Sequence, residues 1–354
     1  MKEMTTHSII QRVAVLTGLF NNCLLIYLVL QKSASKIGNY KYLMIYIAFF
    51  EIMYAVIDGL TAPEIYSKDC TNLMIMRADR AYLPIEFLPF FSVIFCDMFG
   101  MSMAIFAVHF IYRYLVLSRK QFVRKRDGQI ICAILLFSVL CGIIWSFAVW
   151  FTMKPFAEAD QYLTEHFLPP RNLNLEQIAY IGFYYYPRDI LGNEYIHWNS
   201  IYGMMIQCGF ICISFFLIFY YGFKCYSQTK FLVQQSSQSS SFENLQSQLF
   251  YALVIQTMIP VFLMHLPASV VYTAALFDRS VEMYGSVLSA SICFYPALDP
   301  LPNFFIIKSY RTAIFDFFKF FLRKIHICRS SKVSTIPSTN AHASNITRLS
   351  TVQF

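Results

Sequence analysis

Seven apolar runs, at about 9–31, 42–62, 88–117, 130–152, 199–223, 249–275 and 284–307, constrain this chain more than any other feature. Each is about 20 residues or longer, enough for an α-helix to cross roughly 30 Å of hydrocarbon. A segment in lipid must satisfy its own backbone, so helices are the form these runs take. Composition agrees, with 57% hydrophobic and 14% charged residues over 354 positions, outside the range of a soluble domain. The first run contains Asn21 and Asn22 and is too long for a cleaved signal peptide, so it reads as a signal anchor. The expected fold is an all-α membrane protein. A seven-helix bundle over 9–310 follows a short N-terminus, 1–8.

Loop charge orients the bundle. The loop after helix 1 carries Lys32, Lys36 and Lys41 with no acid, and the loop after helix 3 carries Arg119, Lys120, Arg124, Lys125 and Arg126 against Asp127. The stretch 153–198 instead holds Glu158, Asp160, Glu165, Glu176, Asp189 and Glu194 against Lys154, Arg171 and Arg188. Basic loops stay inside, which puts the N-terminus outside and the C-terminus in the cytoplasm. The net charge of +8 is then mostly cytoplasmic bias and not a nucleic-acid footprint.

Of ten cysteines, only Cys70 falls in an outer loop, so no disulfide from helix 3 to 153–198 is expected. Segment 228–248, polar and rich in serine, reads as a mobile cytoplasmic loop. Over 311–328, Ile314, Phe317, Phe318, Phe321, Leu322 and Ile325 recur at helical spacing among Lys319, Arg323 and Lys324, an amphipathic helix for the inner interface. Cys328 at its end is a candidate for palmitoylation. The tail 329–354 is expected to be disordered.

Enzymatic chemistry finds no footing, with no HExxH, GxSxG or glycine-rich phosphate loop, and no cofactor is implied. No two histidines share a helix turn, and helix 7 has no lysine before Lys308 to carry a retinal. The intramembrane polar groups are Asn21, Asn22, Glu51, Asp58, Asp97, His109, His265 and Asp299. At the helical rise, Asn22, Glu51 and Asp299 each lie ~13–14 Å from the inner ends of helices 1, 2 and 7, a shared depth. Two acids at one level favour sharing a proton or holding a cation between them. Asp97 and His265 fall in the outer half, where a pocket would open. With Met264 and Tyr272 they are the candidate ligand contacts, under an entrance covered by 153–198. Pro260, Pro267, Pro296, Pro300 and Pro302 weaken helices 6 and 7 and are candidate hinges.

Several motifs in order carry a family resemblance. They are NCLLIYLVLQKSASKIGNYKYLM, FFEIMYAVIDGLTAP, HFIYRYLVL, FYYYPRD, QTMIPVFLMHLP and YPALDPLPNFFIIKSYR, spread over about 10–325. The chain resembles the nematode seven-transmembrane chemoreceptors of the Str type, a set of G-protein-coupled receptors. The resemblance implies rhodopsin-like topology and a plasma-membrane receptor, typically in the cilia of chemosensory neurons. It implies two partners, a small odorant-type molecule and a heterotrimeric G protein.

By the same likeness, ALDPLPNFF corresponds to the helix 7 switch of rhodopsin-like receptors and Arg113 to the arginine at the cytoplasmic mouth of helix 3. Arg124, Lys125 and Arg126 would extend its docking surface. Pro260 corresponds to the helix 6 proline, and Glu51 stands near a sodium-binding acid, so a sodium ion between Glu51 and Asp299 is implied. Tyr112 replaces the acid that usually precedes the arginine, so whatever restrains Arg113 must differ. A ligand-gated channel subunit of an odorant-sensing type is the alternative. It would need the N-terminus inside, against the charge bias.

Overall fold

A computed structural model of the chain describes residues 6–33, 37–118, 126–189, 191–235 and 241–333. Six helices in it are long and apolar enough to cross a membrane, and Glu282–Ile306 supplies a seventh. The first four spans are Thr6–Lys32, Tyr40–Thr61, Leu88–Leu117 and Asp127–Thr152. Trp198–Gln235 is the fifth. The sixth is continuous through Ser241–Pro260, Val261–His265 and Leu266–Leu276, and the seventh joins Glu282–Leu298 to Leu301–Ile306. Each expected run therefore became a span.

The third span sits at the centre, packed on the fourth and fifth, with most of its residues from Phe95 to Arg113 buried. Glycine permits one close approach. A Cβ on Gly100 would lie 2.2 Å from the Trp145 ring, so the third and fourth spans touch only because that atom is missing. The fourth and fifth spans turn Leu136, Phe147, Phe216 and Phe219 outward, an apolar surface that suits lipid.

The outer loops do more than connect. EIYSK and TNLMIMR form strands β1 (Glu64–Lys68) and β2 (Thr71–Arg77), and IAYIGFY forms β3 (Ile178–Tyr184). The sheet is antiparallel in the order β1-β2-β3, with Tyr66 opposite Leu73 and Thr71 opposite Tyr184. Asp69 turns the hairpin at φ 52°, a left-handed conformation that aspartate tolerates. The sheet is tied down by the Ile65 amide donating to Ser289 Oγ at 2.7 Å and by Tyr162 OH donating to Asp69 Oδ2 at 2.9 Å. Cys70 is a free thiol in this cap, pushed up to about 12 by burial and therefore protonated.

Two expectations need correction. The polar segment 228–248 is not a free loop, because the fifth span continues to Gln235 and the sixth begins at Ser241. Glutamine, leucine and lysine are good helix formers, and Leu232, Leu245 and Leu249 are buried, so the helices run on past the apolar runs. The helix after the seventh span runs Lys308–Val333, five residues beyond 328. From Thr312 it belongs to a unit of its own, where Phe315, Phe317, Phe318 and Phe320 lie exposed. The tail expected to be disordered lies, from 334 on, outside the described residues.

Candidate ligand cavity and polar switch

Proline sets the local geometry at both candidate hinges. Pro260 has no amide to continue the α-helical ladder, and the sixth span passes through one π-helical turn, Val261–His265, before resuming. His265, at the end of that turn, points between the third and fifth spans. Its Nε2 lies 3.2 Å from Ser102 Oγ, and its ring centroid is 4.6 Å from that of Phe99. Beside it is a cavity of about 320 Å³ between the outer halves of the third to sixth spans. Phe99, Trp145, Ile211, Phe215 and Ala268 make its apolar walls, and Gln207, His265, Tyr272 and Thr273 supply its polar groups. The size and mix suit a small ligand oriented by few hydrogen bonds.

Two of the four expected contacts, His265 and Tyr272, line this cavity. Met264 is buried elsewhere in the core. Asp97 is also not part of the wall. Its carboxyl group lies against the fourth span, so close that a Cβ on Gly142 would sit 2.9 Å from Oδ1. It shares the central helix with Phe99, but two residues' advance turns it to another face.

The seventh span holds the second constellation. Pro300 lacks the amide that would reach the Pro296 carbonyl, and Asn22 Nδ2 fills that gap at 2.9 Å. Asn21 Nδ2 donates to the Ala297 carbonyl at 2.8 Å. The carbonyl that Pro300 frees is thus capped from the first span by Asn22, without Asp299. Asp299 accepts a short hydrogen bond from Gln256 Nε2, and Asn303 Nδ2 donates to Gln256 Oε1 at 3.2 Å.

Glu51 comes to the same place. Its polar neighbours are Asp299, Asn22 and Tyr295. Yet both its carboxyl oxygens, with Asn22 Oδ1, Asp299 Oδ1 and Tyr295 OH, are buried and lack a hydrogen-bond partner of sound geometry. That is an all-oxygen set, the donor chemistry a hard cation takes, and equally the setting for carboxyl groups that share a proton. Either occupant would join the second and seventh spans. Gln256, on the sixth, extends the network to a third span and was not among the expected residues.

At the inner end, Arg113 is almost wholly buried. Its Nη2 donates to the Gln246 carbonyl at 2.8 Å and to Gln246 Oε1 at 3.2 Å, and its guanidinium lies 5.1 Å from the centre of the Tyr40 ring. Tyr112, which stands where an acid usually precedes the arginine, is engaged elsewhere. Its OH donates to Asp127 Oδ1 at 2.8 Å, and Asn39 Nδ2 donates to Asp127 Oδ2 at 2.9 Å. Arg113 is therefore held by Gln246 of the sixth span and Tyr40 of the second, and not by its neighbour Tyr112. Arg126 stands just before the fourth span, whereas Arg124 and Lys125 lie outside the described residues.

Comparison with known proteins adds an independent finding. The family described as serpentine type 7TM GPCR chemoreceptor Str matches residues 7–315. The chain is 32% identical to the G-protein coupled receptor str-217 of Caenorhabditis elegans, over 87% of this chain and 88% of that one. It is 28% identical to the serpentine receptor class r-10 of the same organism, over 81% of this chain and 84% of the relative. The crystal structure of squid rhodopsin superposes with a TM-score of 0.56 at 15% identity, covering 95% of this chain and 88% of that one, a likeness of fold.

Proposed function

Because the chain belongs to the Str family of serpentine seven-transmembrane chemoreceptors, we propose that it detects a small, mostly apolar molecule in the outer cavity and signals to a heterotrimeric G protein. One observation carries the reading. The sixth span lines the cavity with His265 and Tyr272, passes through the π turn behind Pro260, and grips Arg113 through Gln246. A ligand that favours one setting of that helix therefore shifts what happens at both ends.

In the state described, Arg113 is withheld from the cytoplasm. Rotation of the inner half of the sixth span would carry Gln246 away and free the guanidinium for the G protein, with Arg124, Lys125 and Arg126 extending the docking surface. Glu51, Asp299 and Asn22 would hold a shared proton or a sodium ion, whose charge would tie the second span to the seventh. Pro296 and Pro300 leave that part of the seventh span short of backbone hydrogen bonds and able to shift. Cys328 would anchor the cytoplasmic helix by acylation. The receptor would work at the plasma membrane, in the ciliary membrane of a chemosensory neuron.

The test is a screen of volatile and soluble compounds in cells that carry the chain and a calcium reporter. With an agonist in hand, His265→Ala and Tyr272→Ala should each raise the half-maximal concentration by about tenfold, the loss of one to two buried polar contacts. Asp97→Ala, facing the fourth span, should leave it nearly unchanged. A flat response to both cavity changes would move the binding site elsewhere.

A further inference from the structure

The cavity is roofed against water and open toward lipid. Strand β3 is buried along its whole length, and Phe183 packs against the cavity residue Tyr272. Its ring meets Tyr272 edge-on, with centroids 5.9 Å apart. A Cβ on Gly203 of the fifth span would come within 2.7 Å of it, so no slack remains at that joint. The Gly182 amide donates to the Met153 carbonyl at 3.0 Å, and Gln207 Nε2 lies 2.9 Å from Met153 Sδ, which fastens the roof to the fourth and fifth spans.

The side between the fifth and sixth spans is different. Those helices pack together along Ser241–Pro260 but hardly at all beyond Val261. Cavity residues Cys208, Cys212, Leu266, Ser269 and Thr273 are all exposed there, on the belt that faces hydrocarbon. A more open recess shares Ser269 and Thr273 with the cavity and continues along the sixth span, past Tyr284 of the seventh, to Phe277 and Arg279. The rim of the cavity itself, from Cys208 and Cys212 to Ser269 and Thr273, opens on the lipid face beside His265. No aspartate, glutamate, lysine or arginine lines the cavity itself, so a charged guest would lose its hydration without a partner.

We propose that the ligand is an uncharged lipophilic molecule that reaches the cavity from the outer leaflet, between the fifth and sixth spans, and not from water through the β-sheet cap. This rests on the cavity being the ligand site of the receptor reading above. The outer leaflet concentrates such a molecule, and its one polar group meets Tyr272, His265 or Gln207 only after it has left the lipid. The sheet then serves as a fixed lid.

The experiment measures thiol labelling in the full chain in phospholipid nanodiscs. Cys208 and Cys212 are replaced by alanine, and a reporter thiol is placed inside the cavity by Ala268→Cys, with Met204→Cys as a second position should the first misfold. Leu191→Cys, in an exposed loop, calibrates each reagent in water, and the native Cys132, exposed on the fourth span, calibrates lipid. After calibration, uncharged N-phenylmaleimide should modify the cavity thiol at least about tenfold faster than a trimethylammonium methanethiosulfonate, which hydrocarbon excludes. Adding Ser269→Trp at the rim should slow the uncharged reagent by a similar factor and leave Cys132 unaffected. Comparable rates for both reagents, or no effect of the tryptophan, would overturn the lipid route. Labelling reads access alone. A chain that labels as expected yet answers no agonist would unseat the receptor reading and not the route.

Discussion

Arg113→Ala is expected to abolish agonist-driven signalling while leaving surface expression largely unchanged, whereas Gln246→Ala is expected to raise signalling without agonist. Arg113 is buried with two hydrogen bonds to Gln246 and a face on Tyr40, and its Nε has no partner. It joins the third span to the sixth through Gln246 and to the second through Tyr40, and Tyr112 is already committed to Asp127. Removing the Gln246 side chain deletes one of the two bonds, about 1 kcal/mol, which would enrich the open state roughly fivefold. The backbone bond survives in that variant, so the shift is partial and not a full release. Flow cytometry on an N-terminal tag reads expression, and a calcium or cyclic-nucleotide reporter reads signalling. Wild-type signalling from Arg113→Ala would remove it from the coupling machinery.

The second large effect concerns Glu51 and Asp299. Glu51 and Asp299 are buried carboxyl groups with unpartnered oxygens on different spans, so burial disfavours charge on either unless a shared proton or a cation offsets it. Glu51→Gln and Asp299→Asn should each change basal activity several-fold. The double variant should depart from the sum of the singles by about 1 kcal/mol or more, as groups in one network do. A merely local role for Asp299, capping carbonyls freed by proline, predicts additivity. At the Pro296 carbonyl, which Pro300 frees, the structure gives that role to Asn22. Additive effects at equal surface expression would disconnect the two acids.

The spans were legible because hydrocarbon imposes a length and a composition that few other structures share. Glu51 and Asp299 were legible for a related reason, since an acid in an apolar run stands out and helical rise gives its depth. The sheet was not. The segment 153–198 was expected to cover the entrance but not as a sheet, because IAYIGFY offers a short apolar run with no alternation to separate strand from helix. Gln246 was missed because it lies in a polar segment that carries no apolar period, yet packing on the third span holds it in a helix. Asp97 was assigned to the pocket by depth alone, and its side chain lies against the fourth span. Depth says how far along a helix a residue lies, and rotation by 100° per residue decides which neighbour it meets.

The most direct test of coupling through the sixth span needs no ligand. Purified receptor in nanodiscs is mixed with heterotrimeric G proteins drawn from a panel of Gα subunits, and nucleotide exchange is timed for the wild type, Gln246→Ala and Gln246→Ala with Arg113→Ala. Gln246→Ala should accelerate exchange roughly fivefold on at least one subunit, and the added Arg113→Ala should return it to the receptor-free rate. Exchange that Gln246→Ala does not accelerate on any subunit, or that stays fast without Arg113, would contradict the release of Arg113 from Gln246 as the switch.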